Sequence, residues 1–169
     1  MSARWDKFFL RIAETVAEQS LCLNRRIGAV LVRQKRIIAT GYNGPPEGIT
    51  SCRTRPEGDL VFSKASGLLP GTILEECPRR YLGLGHGEGR QWCPATHAEV
   101  NAIVNSARVG VSCAGAVMYL TCGVPCKNCF SVILNAGIRE IVCTSMKVHD
   151  ELTPWLLANS TITIRTYQL

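Results

Sequence analysis

The stretch WCPATHAEVNAI, from Trp92 to Ile103, places a histidine and a carboxylate at the start of an apolar helical pattern. His97 and Glu99 stand two residues apart, and the apolar spacing that follows predicts a helix from Thr96 to about Arg108. A histidine and a glutamate in a first helical turn are commonplace, so this stretch alone does not define a site. Its meaning depends on a second stretch, VPCKNC, from Val124 to Cys129.

The second stretch supplies two thiols at another helix start. Cys126 and Cys129 are three residues apart, so both side chains lie on one face of a helical turn. The helix that they begin is predicted to end at Ala136, with Gly137 in the C-terminal cap position, and a helix N-terminus favours the thiolate form. Alone, the sequence P-C-x-x-C is also typical of a redox dithiol or of half a structural zinc site.

Taken together, the two stretches indicate a catalytic zinc site. Such a site typically has three protein ligands and keeps its fourth position for water. His97, Cys126 and Cys129 supply three ligands, and Glu99 is placed to act as general acid and base on the water and on a leaving amine. The order H-x-E, then P-C-x-x-C, is the signature of zinc-dependent deaminases. The sequence therefore predicts hydrolytic deamination of an amino-substituted ring, with zinc as cofactor.

Strands and helices alternate around these stretches. An amphipathic N-terminal helix precedes two β-branched segments, Ile27–Val32 and Arg36–Gly41, which predict a hairpin. Later strands are predicted at 115–121, 138–144 and 161–167, and a short helix at 154–158. This alternation predicts an α/β layer structure with parallel strands in its second half. The chain is predicted to form a single domain, 1–169, with a long irregular insertion at about 49–94.

Composition and charge bear on the cellular location that we expect for the protein. The 169 residues carry a net charge of +6 and contain no apolar run as long as a membrane span. Acids are mixed into the N-terminal helix, unlike a signal peptide. Nine cysteines, an odd number, indicate metal ligands or small buried residues rather than a disulfide framework. We therefore expect a cytoplasmic protein without a membrane partner, in the host cytoplasm if the chain is of phage origin.

The sequence resembles the deoxycytidylate (dCMP) deaminases of the cytidine deaminase superfamily, in bacterial and phage versions with a cysteine-rich insertion. The resemblance covers nearly the whole chain and rests on RWDKFFLRIA, NRRIGAVLV, GYNGPPEG, CPATHAEVNAI, MYLTCGVPCKNC and ILNAGIREIV. It implies a three-layer α/β/α sandwich around a mixed five-stranded sheet, and hydrolysis of dCMP to dUMP and ammonia, which supplies thymidylate synthesis. It also implies a homohexamer, activation by dCTP with Mg²⁺ and inhibition by dTTP. LTCGVPC has one residue more before the first zinc cysteine than is usual in the family.

Matched residue by residue, the resemblance implies zinc ligation by His97, Cys126 and Cys129 and proton transfer by Glu99. It also implies nucleotide contacts by Asn43, Arg25, Arg26 and Ala98. Asn43 matches an asparagine that contacts the nucleotide sugar, and the alternative is a turn residue. Arg25 and Arg26 resemble the basic residues at the 5′-phosphate, which an arginine fork suits. The alternative for both is a solvated strand end, and Arg26 is favoured over Arg25.

Four further cysteines lie in or beside the N-terminal helix and the insertion: Cys22, Cys52, Cys77 and Cys93. Some members of the family with this kind of insertion hold a second, structural zinc there, and a closed tetrahedral site would stabilise a stretch with little core of its own. His86 is an alternative ligand, and scattered buried thiols are the alternative to a site. The remaining cysteines are predicted to be ordinary core or loop residues: Cys113, Cys122 and Cys143.

Two other functions are compatible with the zinc motif. One is a deaminase of tRNA adenosine or single-stranded cytosine, but the sequence shows no series of exposed aromatic residues for stacking bases. The other is a zinc-stabilised binding module, but a structural site needs no carboxylate beside the metal. We therefore expect a small-molecule nucleotide substrate and nucleotide effectors, with no nucleic-acid partner.

Overall fold

The computed structural model describes residues 2–85 and 87–169. The helices are α1 (Ala3–Ala17), α2 (Arg55–Gly58), α3 (Leu60–Ser66), α4 (Pro78–Tyr81), α5 (Ala98–Arg108), α6 (Lys127–Asn135) and α7 (Thr153–Ala158). The strands are β1 (Gly28–Arg33), β2 (Arg36–Tyr42), β3 (Val117–Leu120), β4 (Glu140–Cys143) and β5 (Thr163–Thr166). Within the described residues, no helix is both long and apolar enough to cross a membrane.

The chain divides into two compact units. The first comprises the chain up to Ser20, Ile27–Asn43 and His97–Leu169. The second comprises Leu21–Arg26 and Gly44–Thr96, and so includes the predicted insertion. The organisation of both units as a single domain stays a prediction.

The first unit contains a five-stranded sheet in the order β2-β1-β3-β4-β5. β1 pairs antiparallel with β2 and with β3, whereas β3, β4 and β5 are parallel. Parallel neighbours need a crossover connection, which α6 and α7 supply. The mixed sheet, the hairpin and the parallel second half predicted from the sequence are therefore confirmed.

Helices cover both faces of this sheet because strand side chains alternate between them. On one face, Phe9 and Leu10 of α1 pack with Val30 and Tyr119 of the sheet. On the other face, α5 and α6 contribute the buried core residues Ala98, Ala102, Phe130 and Ile133, which pack with Leu31 and Met118. The predicted α/β/α sandwich is thus confirmed.

The second unit is less irregular than the sequence analysis predicted. Its described residues form three short α-helices and two single 3-10 turns, at Cys52–Thr54 and Arg90–Trp92. Asp59 caps α3 by accepting a hydrogen bond from the Phe62 N–H at 2.8 Å, and Arg55 contacts both the Asp59 carboxylate and the Phe62 ring. Gly44 and Thr96 exchange two backbone hydrogen bonds, which hold together the two ends of the segment Gly44–Thr96.

A buried carboxylate joins α1 to the sheet. Asp6, with 2% of its surface exposed, accepts hydrogen bonds from the Tyr119 hydroxyl at 2.8 Å and from both terminal nitrogens of Arg165 at 2.6 and 2.7 Å. Burial alone would raise the pKa of Asp6, but the hydrogen bonds from Arg165 and Tyr119 outweigh it and hold this pKa below its ordinary value.

Asp6→Asn is expected to lower the free energy of unfolding by about 3 kcal/mol near neutral pH, because Arg165 loses one of its two carboxylate partners and keeps only Glu140. The folded-state pKa of Asp6 is depressed, so its stabilisation is present above the ordinary carboxyl pKa and is lost as pH falls through the folded value. Urea denaturation of the wild type and the variant should therefore converge at acidic pH. Tyr119→Phe, which removes one hydrogen bond, should cost about 1 kcal/mol. A difference in the free energy of unfolding between the wild type and Asp6→Asn that does not change with pH would contradict this account.

Candidate metal centre and active site

The starts of α5 and α6 bring three metal-ligand side chains together. His97 is the residue before α5, and Cys126 is the residue before α6. His97 Nδ1 lies 3.2 Å from Cys129 Sγ and 3.6 Å from Cys126 Sγ, and the three ligand atoms all lie within 4.8 Å of one another. Within residues 2–85 and 87–169, this is the one group of three or more His, Cys, Asp or Glu placed to hold a metal ion.

The spacing of these atoms fits a zinc ion. Zinc binds sulfur at about 2.3 Å and nitrogen at about 2.0 Å, so tetrahedral ligand atoms stand about 3.5–3.8 Å apart. The two measured nitrogen–sulfur distances are close to this value. An imidazole with two thiols is also a donor set that zinc prefers over harder oxygen ligands.

The two thiols of the group differ sharply in acidity. A hydrogen bond from the Cys129 thiol lowers the pKa of Cys126 to about 3, against the opposing effect of burial. The same hydrogen bond raises the pKa of Cys129 well above its ordinary value, and burial and the Glu99 carboxylate raise it further. The two thiols therefore interact directly, and the first proton is lost more readily from Cys126 than from Cys129.

Glu99 lies in the first turn of α5 and has 4% of its surface exposed. Its charge raises the pKa of the Cys129 thiol, so the carboxylate is within electrostatic range of the ligand group. A buried carboxylate next to metal ligands is typical of a proton-transferring residue rather than of a solvated helix start. The intervening Ala98 is fully buried in the core, and its predicted contact with substrate stays a prediction.

The helix that carries His97 and Glu99 is held tightly against β2. A Cβ atom at Gly41 would lie 2.3 Å from the Ala102 nitrogen, so only glycine permits this approach. Asn101 Nδ2 donates to the Tyr42 carbonyl at 2.7 Å, and Asn105 Nδ2 donates to the Thr40 carbonyl at 2.9 Å. Sequence reasoning missed both asparagines, although their spacing of four residues places them on one helix face.

Asn43 makes structural hydrogen bonds within the first unit. Its Oδ1 accepts from the Ile27 N–H at 2.7 Å and from the Ser20 hydroxyl at 3.0 Å. The residue therefore joins the end of α1 to the beginning of β1, and its contact with a nucleotide sugar stays a prediction. Arg25 and Arg26 are exposed residues of the second unit, and their phosphate contacts likewise stay predictions.

The four cysteines of the possible second zinc site all lie in the second unit: Cys22, Cys52, Cys77 and Cys93. Burial raises the pKa of Cys52 to about 11, and the other three thiols add to this effect. They are thus within electrostatic range of one another, but among the described residues they do not form a second close group of ligands. The alternative ligand His86 lies outside the described residues.

The other cysteines agree with their predicted place in the core. Cys113, Cys122 and Cys143 are all buried, and none of them belongs to the ligand group of the described residues. No disulfide bond joins any of the nine cysteines, all of which the structure describes. The cysteines of the first unit therefore separate into two metal-ligand candidates and three core residues.

Fold and ligand group together define a cytidine deaminase-like α/β protein with a His-Cys-Cys centre. Residues 3–145 match the cytidine and deoxycytidylate deaminase zinc-binding region. The deoxycytidylate deaminase of Mycobacterium phage D29 is 35% identical over 138 residues, which are 82% of this chain and 92% of that protein. The chain belongs to this family, and the predicted resemblance is confirmed.

Two further comparisons agree with this assignment. The deoxycytidylate deaminase of Schizosaccharomyces pombe is 35% identical over 164 residues, 96% of this chain. The chain spans 44% of the length of that relative. The dCMP deaminase of cyanophage S-TIM5, crystallised with dCMP and dUMP, has a similar fold, with a TM-score of 0.68, 21% identity and 99% coverage of both chains.

Cys129→Ala is expected to lose about one equivalent of bound zinc per chain relative to the wild type, because a three-ligand site does not survive the loss of one thiolate. Cys122→Ala is the matched control, since Cys122 is a buried neighbour of the site but outside the ligand group. Elemental analysis of the purified proteins, with circular dichroism to verify folding, gives the comparison. Equal zinc contents in the two variants would contradict the proposed ligand set.

Proposed function

We propose that the protein catalyses the hydrolytic deamination of dCMP to dUMP and ammonia. The observation that carries this proposal is the group of His97, Cys126 and Cys129 beside the buried carboxylate of Glu99. A structural zinc site needs no such carboxylate, whereas a deaminase needs a residue that moves protons. The names of its relatives in Mycobacterium phage D29 and S. pombe support deoxycytidylate as the substrate.

In this proposal, His97, Cys126 and Cys129 hold a zinc ion. When bound, zinc lowers the pKa of a water molecule and so provides a nucleophile near neutral pH. Glu99 takes a proton from the water and delivers it to the departing amine. In the net reaction, the water oxygen bonds to C4 of the cytosine ring, the C4–N bond breaks and the nitrogen leaves as ammonia.

The proposed substrate is a mononucleotide. Arg26, with Arg25 as the second candidate, would bind the 5′-phosphate, because a guanidinium fork matches phosphate oxygens. Asn43 would contact the sugar, and Ala98, between His97 and Glu99, would line the base pocket. Family membership supports these roles, and the exposure of both arginines is compatible with a phosphate ligand.

We also propose a structural zinc ion in the second unit, held by Cys22, Cys52, Cys77 and Cys93. The support is the placement of all four thiols in one compact unit and their electrostatic effect on Cys52. With a pKa of about 11, Cys52 is protonated near neutral pH, so its ionisation would depend on metal binding. A zinc content of about two per chain would agree with this site, and about one would contradict it.

The family resemblance further supports a homohexamer, activation by dCTP with Mg²⁺ and inhibition by dTTP. These properties belong to the proposal, as does the cytoplasmic location. Size-exclusion chromatography with light scattering tests the hexamer, and dCMP saturation curves with each triphosphate test the regulation.

Glu99→Gln is expected to retain zinc and to lose at least about a hundredfold in kcat, because the amide cannot accept the proton of the attacking water. Ammonia release from dCMP measures the loss, and elemental analysis provides the zinc control. A variant with full zinc and full activity would remove Glu99 from the mechanism.

Arg26→Ala is expected to raise KM for dCMP about tenfold to a hundredfold, because a charge-assisted contact is worth about 1.5–3 kcal/mol. The same variant should leave the deamination of deoxycytidine, which has no phosphate, unchanged. Arg36→Ala, at an exposed arginine of β2 with no role in the proposal, is the matched control for general loss of positive charge. An equal effect on both substrates, or wild-type activity confined to a cytosine oligonucleotide, would contradict the mononucleotide proposal.

A further inference from the structure

The cysteine loop before α6 is held by the segment that follows β4. The Val124 N–H donates to the Lys147 carbonyl at 3.2 Å, and the Lys127 N–H donates to the Asp150 carboxylate Oδ2 at 2.8 Å. Val124 lies two residues before Cys126, and Lys127 lies directly after it. These two hydrogen bonds therefore fix the main chain on both sides of the first cysteine ligand.

Asp150 connects two helix starts with its two carboxylate oxygens. Besides the bond from Lys127 to Oδ2, Oδ1 accepts from the Leu152 N–H at 3.1 Å and from the Thr153 N–H at 2.8 Å. The Thr153 hydroxyl also donates to it. The order D-x-x-T-P is a local capping signal for α7, but it gives no indication of the bond to α6.

The cysteine loop packs closely against the segment after β4, and this packing leaves no space for a side chain at position 123. A Cβ atom at Gly123 would lie 2.8 Å from the Lys147 carbonyl oxygen and 2.9 Å from the Ser145 hydroxyl. The Thr144 N–H donates to the Cys122 carbonyl at 2.9 Å. Glycine at position 123 thus allows the long cysteine loop to lie directly against the segment that ends at Asp150.

We propose that Asp150 is a positioning residue for the metal centre: its carboxylate holds the Lys127 N–H and thereby fixes the turn that carries Cys126 and Cys129. The proposal rests on the zinc site of the proposed function. The first N–H groups of a helix have no partner within the helix, and a fixed main chain restricts the directions in which the two sulfur atoms point. Groups that orient ligands in this way typically change metal affinity when they are removed.

The hydrogen bond can be removed from either side. Asp150→Ala removes the acceptor, and Lys127→Pro removes only the donor N–H and the exposed lysine side chain. Proline is accepted at the first position of a helix, and Cys126, with φ −65° and ψ 162°, already has the conformation of a residue that precedes proline. Lys127→Ala is the matched control, because it loses the side chain and keeps the N–H.

The measurement is the rate at which zinc passes from the protein to an excess of a chromogenic chelator. The phase missing in Cys129→Ala identifies the zinc held by His97, Cys126 and Cys129. We expect about tenfold faster release of this zinc in Asp150→Ala and in Lys127→Pro, and the wild-type rate in Lys127→Ala. The double variant Asp150→Ala/Lys127→Pro should release zinc no faster than either single variant, because both remove the same bond.

Wild-type release from Asp150→Ala, or additive effects in the double variant, would overturn the proposal. Thr153→Val separates positioning from support of α7: it removes the hydroxyl contact with Asp150 and keeps the bond to Lys127. Release from Thr153→Val as fast as from Asp150→Ala would also overturn it. Absence of zinc from the wild-type site would instead contradict the proposed function, so the two failures are distinguishable.

Discussion

The site depends on the convergence of two helix starts. His97 precedes α5, Cys126 precedes α6 and Cys129 lies in the first turn of α6, yet their ligand atoms lie within 4.8 Å of one another. Contacts with neighbouring elements hold each helix in place. Gly41 lets α5 pack closely on β2, and Asn101 donates a hydrogen bond to β2. The Asp150 carboxylate accepts a hydrogen bond from the first N–H of α6. Because the sheet supports both helices on one face, a shift of either one would separate the imidazole from the thiols.

Because the ionisable groups of the site lie close together, their negative charges repel one another, and the pKa values of Cys126 and Cys129 are shifted in opposite directions. The two thiols lie close together and the charge of the buried Glu99 acts on Cys129, so full ionisation would bring three negative charges within range of one another. The hydrogen bond between the two thiols lowers the pKa of Cys126 and raises that of Cys129. Such an accumulation of ionisable groups within a protein is typical of a site that a cation completes. The same crowding places Glu99 beside the reacting water in the proposed mechanism.

Local patterns predicted much of this structure. Alternation of strand and helix signals predicted the α/β layers and the parallel second half of the sheet, and the family resemblance implied the mixed five-stranded sheet. The spacing of His97, Cys126 and Cys129 predicted the ligand group. Features that depend on long-range packing were missed. Asp6 pairs with Arg165 from the opposite end of the chain. Asp150 accepts a hydrogen bond from Lys127, from which β4 separates it in the sequence.

The hairpin turn places Gln34 and Lys35 at φ 51° and 63° without the glycine or asparagine that usually marks such a turn. Cys22, Cys52, Cys77 and Cys93 share one unit, but their count in the sequence could not determine their spacing.

The most direct test of the account is to incubate the wild-type protein with dCMP in ¹⁸O-labelled water and to analyse the products by mass spectrometry. Hydrolytic deamination predicts dUMP with one labelled oxygen at C4 and one ammonia for each dUMP formed. Removal of zinc by a chelator should abolish the product, and added zinc should restore it. The absence of dUMP from a folded, zinc-loaded protein, or dUMP without the label, would contradict the account.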